Sequence, residues 1–333
     1  MKGLSLGLCD DSALWNEFVA HSPQGSVFCD TRLLDAHGVD YDLWLLRKGS
    51  VPALGVVITK RHGRPTGPLL FSYYQGPLFG AHVETLPHYR QSRWMLDLFE
   101  VCLNELSARY NLLHFVLHHS VSDVRAFDWF NYHNPEKGRF AITPRYTALI
   151  DLAAFNSFEA FMRSVRKDRR QDRRVALENG VTVDDSRDVD LLVDLYEMTF
   201  ARQGLPIEKN ELHLLATLAE ATLCNGLGRL LMARTKDGTA IAAQLFLQDR
   251  RCGHAVAAAS HPEHRDLGGG TLVCLEFIRH CLDNKLDWVD FNGANSPDRA
   301  EFKHSFGARP QLYFDVRWRR QGAKDDLFAA RKV

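Results

Sequence analysis

Arg265-Asp266-Leu267-Gly268-Gly269-Gly270 has the residue types and spacing to hold a diphosphate. It follows Cys252–Ser260, which reads as a strand, and opens Thr271–Leu282, where Leu272, Leu275, Ile278 and Leu282 form one helical stripe. Glycines have no Cβ, so the backbone can come close to a ligand. The first N–H groups of a helix lack intrahelical acceptors, and the helix dipole favours an anion beside them. Arg265 can add a charge-assisted hydrogen bond to phosphate. The alternative is a glycine-rich strand-to-helix turn that binds nothing. A Rossmann loop fits less well, because the G-x-G-x-x-G spacing is absent.

Two further groups of residues can act on a substrate. Asp290, Asn292 and Asn295 end the strand expected at Trp288–Phe291, where polar groups can reach a site at the end of an α/β sheet. Asp290 can serve as a base there, and Asn292 and Asn295 can orient an acceptor; the alternative is that they cap the next helix. Between Arg163 and Arg174 stand six Arg and one Lys against Asp168 and Asp172. Arg163, Arg166, Arg170, Arg173 and Arg174 are expected on roughly one helical face, suited to a phosphorylated acceptor, a nucleotide-sugar or a tRNA backbone. A solvated helix carrying i,i+4 Asp–Arg pairs is the competing reading. Pro144-Arg145-Tyr146-Thr147 can add to an acceptor groove.

Other chemistries find little support. His114 and His118 share one face of an expected strand and His119 the other, with no acidic ligand at a metal-site spacing, so no metal is expected. There is no Gly-x-Ser-x-Gly elbow. Seven scattered cysteines, an odd number with no C-x-x-C, suit reduced thiols in the cytoplasm, with Cys274 and Cys281 as core residues. The N-terminus makes a poor signal peptide and no apolar run has membrane-spanning length. Lys plus Arg equals Asp plus Glu at 41 each, so no global field draws the protein to DNA or an anionic membrane.

The elements that must position these groups alternate between apolar runs and amphipathic stretches over 333 residues, enough for two cores. In the first half, helices are expected at Ser12–His21 and Thr31–His37. Extended segments follow at Tyr41–Arg47, Ala53–Lys60 and Leu69–Tyr74, then a helix over Glu84–Tyr110 and a strand at Leu113–Leu117. The second half repeats the order. Helices Leu191–Arg202 and Leu212–Cys224 precede strands Arg229–Thr235 and Ala240–Gln248, joined by a turn centred on Asp237-Gly238. The strand, helix and strand at 252–291 come next, and Tyr313–Trp318 closes the sheet. This reads as a tandem duplication of one α/β unit. The expected division is 1–155 and 156–320, joined near Ile150–Phe161 with the charged helix as connector, and a polar tail over 321–333.

Arg-x-x-Gly-x-Gly between a strand and a helix resembles the pyrophosphate loop of the GNAT N-acyltransferases. Further segments resemble the FemAB family and the related cellulose-biosynthesis-type acetyltransferases, which are tandem GNAT-like proteins. These are Tyr74-Gln75-Gly76-Pro77-Leu78, the Arg-rich stretch ending Asn179-Gly180-Val181, the stretch from Leu195-Tyr196 to Gly204, and Phe302-Lys303-His304-Ser305-Phe306-Gly307 after Phe291 and Gly293. Together they run from about Ser26 to Trp318. The resemblance implies α/β architecture: two tandem GNAT-like domains, each a mixed, mostly antiparallel sheet flanked by helices. It implies one cofactor loop, in the second half, because Gln75–Gly80 lacks the pattern.

Acyl-CoA is the implied donor, its diphosphate on Arg265, Gly268, Gly269 and Gly270 and its pantetheine arm along Ala259 and Ser260. Lys303, at the closing motif, would stabilise charge on the reacting carbonyl oxygen; a helix-surface lysine is the alternative reading. Tyr313 can supply the leaving-group proton, or simply pack. Tyr74, Arg145, Tyr146, Arg166, Arg170, Asn292 and Phe302 would line the acceptor side. The expected enzyme is a cytoplasmic N-acyltransferase acting on an amino group of a cell-wall sugar or peptide precursor. Its rivals are a FemAB-type aminoacyl-tRNA-dependent transferase and a catalytically silent anion-binding protein.

Overall fold

The computed structural model describes residues 3–322; the expected polar tail lies outside the described residues from 323 onward. The chain forms two compact units, 1–145 with 312 onward, and 146–311. It passes from one to the other inside the strands 141–151 and 309–319, so the division falls twice rather than once after 155.

In the first unit the elements are β1 (Leu4–Leu8), α1 (Ser12–His21), α2 (Thr31–Ala36), β2 (Asp40–Lys48), β3 (Val51–Arg61), β4 (Arg64–Pro65), β5 (Leu78–Phe79), α3 (His88–Arg109), β6 (Leu112–Val116), α4 (Arg125–Asp128) and the first half of β7 (Ala141–Asp151). The antiparallel order is β1-β2-β3-β4, with β5 also on β3. Side chains alternate across this sheet. Leu43, Leu45 and Val57 pack with Trp15, Val19 and Leu34, while Trp44, Leu46, Leu54, Val56 and Ile58 pack with Leu98, Phe99, Cys102 and Leu106 of α3. Both faces are covered, so β2 and β3 read as nearly continuous apolar runs. Helix α1 is capped by Asp11, whose carboxylate accepts the N–H groups of Ala13 and Leu14 at 2.9 and 3.1 Å. Helix α3 begins at His88 instead of Glu84, because Pro87 is extended, with ψ 141°.

The extended segment expected at Leu69–Tyr74 is not a strand. Phe71 and Tyr74 have φ of 60° and 36°, which a pleated strand does not accommodate. The Gln75 side chain holds this loop instead, accepting the Leu69 N–H at 3.1 Å and donating to Phe28 O at 3.2 Å.

The second unit holds the rest of β7, α5 (Phe158–Met162), α6 (Lys167–Glu178), β8 (Thr182–Ser186), α7 (Val189–Arg202), α8 (Lys209–Cys224), β9 (Gly228–Arg234), β10 (Ala240–Gln248), β11 (Cys252–Ser260), α9 (Gly269–Asp283), β12 (Trp288–Asp290), α10 (Pro297–His304) and the start of β13 (Arg309–Arg319). The later half of β13 pairs antiparallel with β6 in the first unit. In the second unit the strand order is β7-β12-β11-β10-β9-β8. Every pairing is antiparallel except β11 with β12. Leu272, Leu275, Phe277, Ile278 and Cys281 of α9 pack on Phe246, Ala242, Val289 and Phe291, with the Phe246 and Phe277 rings 4.5 Å apart. Each fully buried side chain of this kind contributes about 1.5–3 kcal/mol. Helix α6 packs against α9 inside this unit.

The mixed α/β architecture expected from the resemblance is the one observed: mostly antiparallel sheets flanked by helices.

Candidate active site

Strands β11 and β12 part early. Their parallel pairing covers only Cys252–His254 against Trp288–Asp290. Past that point Ala255–Ser260 run on along β10, and a β-bulge sits between the partners of Ala257 and Ala255. The chain leaving β12 turns sharply, with Asn292 at φ 52° and Gly293 at φ 36°. Asparagine and glycine are the residues that tolerate this left-handed backbone.

Lys303 of α10 reaches this turn. Its Nζ donates to Asn292 O and, at 2.7 Å, to Gly293 O. An ammonium has three N–H donors, so one remains. Burial pushes the lysine down to about 8, with Arg299 lowering it further and Asp290 opposing. It therefore stays mostly protonated at pH 7. Lys303 is a half-buried, fixed cation, not the helix-surface lysine of the competing reading.

Asp290, expected as a base, is fully buried. Its Oδ1 accepts the Thr147 hydroxyl and, at 2.7 Å, the Asn292 N–H. Geometry makes it a structural acceptor. Asn292 is also buried, and its Nδ2 donates to Ala255 O at 2.8 Å instead of facing an acceptor. Exposed Asn295 accepts the Tyr146 N–H at 2.8 Å, and the Ala294 N–H bonds Tyr146 O at 2.7 Å, so Tyr146 and Asn295 stand together.

His254, at the last β11–β12 pair, was not singled out from the sequence. It is buried, with Nε2 2.8 Å from Asp249 Oδ2. Burial pushes its imidazole down, but the Asp249 and Asp290 carboxylates outweigh this and leave it above its ordinary value. A histidine raised on folding stabilises fully below its unfolded value of about 6.5, and that stability is lost as pH rises through the folded value. The melting-temperature difference between wild type and Asp249→Asn should therefore widen as pH falls from about 8 to about 6. A constant difference would show that the imidazole carries no charge in this window.

The glycine loop divides into two parts. Gly268 has φ 70°, and a Cβ there would meet Asp172 O at 2.4 Å. A Cβ on buried Gly269 would meet Ile241 at 2.8 Å. At Gly268 the backbone of α6 leaves no room for a Cβ, whereas at Gly269 only the tip of the Ile241 side chain would have to give. A Cβ on Gly270 meets nothing within 4 Å. No side chain caps α9, so its first amides keep their donor capacity. Arg265 is exposed beside them. Thr271 donates to Asp172 Oδ2 at 2.9 Å and accepts from Arg169 at 3.1 Å. On β11, Ala259 is buried and the Ser260 N–H is bonded to Thr199 Oγ1 at 2.9 Å, so that end of the strand is occupied by α7. Arg265 and the first α9 amides, Gly269 and Gly270 among them, could hold a diphosphate beside a β11 that has no strand partner beyond His254 on the β12 side; the Gly268 N–H is bonded to Arg265 O and the Ser260 N–H to Thr199.

The single arginine face is not formed. The chain turns at 163–166 because the Arg166 N–H bonds Ser305 O at 3.0 Å instead of continuing a helix. Arg166 pairs with Asp168 and Glu301. Arg169 lies 5.2 Å over Phe302, the expected acceptor contact, which also packs on Phe306. Arg173 lies over Phe158 at 5.9 Å. Arg163 and Arg170 remain exposed. In the first unit, Tyr74 and Tyr313 are both buried in an edge contact at 5.6 Å, so neither faces a substrate, and Arg145 is half-buried. His114 bonds Asp315 at 2.7 Å, and among the described residues no group of three His, Cys, Asp or Glu could hold a metal.

A family model described as an acetyltransferase (GNAT) domain matches residues 161–304, entirely inside the second unit. Residues 161–304 form a GNAT-type acetyltransferase domain. That places the uncapped α9 start and Lys303 in a domain of the acyltransferase class. The chain is similar in structure to FemX, with a TM-score of 0.69 and 11% identity over 93% of this chain and 96% of that one. It is similar to a tandem GNAT protein from the clavulanic acid biosynthesis pathway, with TM-score 0.53 and 12% identity over 97% and 100%. It also resembles L-PGS from Bacillus licheniformis, with TM-score 0.51 and 11% identity over 94% and 93%. These likenesses show a shared tandem GNAT fold. No curated protein matches in sequence. Among the described residues no helix is long and apolar enough to cross a membrane.

Proposed function

We propose that the acetyltransferase domain moves an acyl group from acyl-CoA to an amino group of a cell-envelope-type sugar or peptide precursor, in the cytoplasm. The observation that carries this is the uncapped start of α9, open at Gly270 and flanked by Arg265, in a GNAT domain whose strand pairing between β11 and β12 ends at His254. The diphosphate binds the α9 amides and Arg265, and the pantetheine arm follows β11 toward the fork. A neutral acceptor amine attacks the thioester carbonyl. The C–N bond forms, the oxygen takes up negative charge, and the remaining N–H of Lys303 stabilises it. Collapse breaks the C–S bond, and the proton lost by the amine ends on the departing thiolate. Tyr146 and Asn295 lie on the acceptor side.

Exposed Arg163 and Arg170 favour one second reading, an aminoacyl-tRNA donor held by its phosphates. Calorimetry separates the two. Wild type should bind coenzyme A. Arg265→Ala should weaken it about tenfold, the loss expected for one charge-assisted bond. Gly270→Ala should leave folding unchanged or raise stability by up to about 1 kcal/mol, since alanine is the better helix former, while its methyl blocks the diphosphate. No binding at millimolar coenzyme A, or equal binding by both variants and wild type, would end the acyl-CoA reading. A gel shift with charged tRNA, lost in Arg163→Ala/Arg170→Ala, would then support the second.

A further inference from the structure

Thr147 lies on β7 with no exposed surface. A buried hydroxyl is costly unless it is hydrogen-bonded, so a threonine at a purely packed position would be a poor choice over valine. Its Oγ1 donates to Asp290 Oδ1, which also takes the Asn292 N–H at 2.7 Å. A carboxylate bonded to the N–H two residues ahead closes an Asx turn. That turn holds Asn292 at φ 52°, a backbone most L residues resist, and Gly293 follows at φ 36°. Lys303 Nζ bonds the carbonyls of both residues. The Asn292 amide ties the same turn to Ala255 O, one residue past the last β11–β12 pair.

We propose that Thr147 is a positioning residue for Lys303. Through Asp290 and the left-handed Asn292–Gly293 turn, it holds the ammonium at the point where β11 and β12 part. Its catalytic consequence rests on the reading of Lys303 given above; its geometry does not. The charged and titratable groups facing Lys303 are Asp290 from β12, Arg299 from α10 and Cys274 from α9. A change at Thr147 leaves Arg299 and Cys274 untouched and reaches Lys303 through Asp290, which loses the hydroxyl's hydrogen bond in Thr147→Val and keeps it in Thr147→Ser.

The test is pulsed acetic anhydride labelling of the full chain across pH, with mass spectrometry of the peptide containing Lys303. In wild type the labelling midpoint should lie at about 8. Thr147→Ser should keep it. Thr147→Val should free the turn and move the midpoint up by about one unit, tenfold in proton affinity, toward an ordinary lysine. An unmoved midpoint in Thr147→Val, or an equal shift in Thr147→Ser, would overturn the proposal. Where Thr147→Val fails to fold, Asn292→Gly serves instead. It keeps the left-handed turn but loses the tie to Ala255, and its midpoint should rise; no rise would overturn the proposal. The labelling needs no donor, so an absence of coenzyme A binding would leave this result standing, and the reverse also holds.

Discussion

Lys303→Ala is expected to lower the single-turnover rate of acyl transfer by about 10²–10³-fold, the loss typical when one preorganised donor to a developing oxyanion is removed. The donor's Kd should change little, because the proposed diphosphate contacts are at α9 and Arg265, not at Lys303. The ammonium is already fixed by Asn292 and Gly293, so it costs no reorganisation at the moment of reaction. Lys303→Arg should not restore the rate. A planar guanidinium cannot place two bonds on those carbonyls and a third toward the substrate in the space of an ammonium. The measurement is thiol release from acyl-CoA with an amine acceptor. A Lys303→Ala rate within a few-fold of wild type would remove Lys303 from the chemistry.

Gly268→Val should produce the largest loss of stability. A non-glycine residue at φ 70° pays about 1–2 kcal/mol for the left-handed backbone. The new Cβ would stand 2.4 Å from Asp172 O, and backbone cannot move aside as a side-chain tip can. Overpacking adds about 1–3 kcal/mol. Helix α6 would have to draw away from α9, stretching the bonds of Thr271 to Asp172 and Arg169. The expected total is about 3 kcal/mol, or roughly 6–12 °C in the second unit's melting temperature. Gly270→Ala, two residues along, should melt at or slightly above wild type. Equal melting of Gly268→Val and wild type would mean that α6 does not hold the loop.

The contrast between Gly268 and Gly270 shows how far three identical letters can be read. Their place between a strand and a helix was legible from periodicity, because Cys252–Ser260 and Leu272–Leu282 have different apolar spacings. Their separate duties were not. Asp172, whose backbone excludes a Cβ at 268, and Ile241, whose side chain crowds 269, lie far away in sequence. The arginine run misled for a related reason. Local pattern favoured one helix from Arg163, but the Arg166 N–H finds Ser305 O, more than a hundred residues on. Phe71 and Tyr74 looked like strand residues by type, and their left-handed backbone followed from a loop pinned by Gln75 to Phe28.

Residue order alone carried the alternation of helices and strands, the Asp237-Gly238 turn and the glycines at a helix start, because each depends on neighbours within a few turns of chain. The chemistry at the fork depended on folding. Thr147 and Asp290 are 143 positions apart, and Lys303 meets Asn292 and Gly293 only once α10 docks. A buried polar group must find a partner wherever the packed chain brings one, and that partner is set by three-dimensional closeness, which local spacing does not encode.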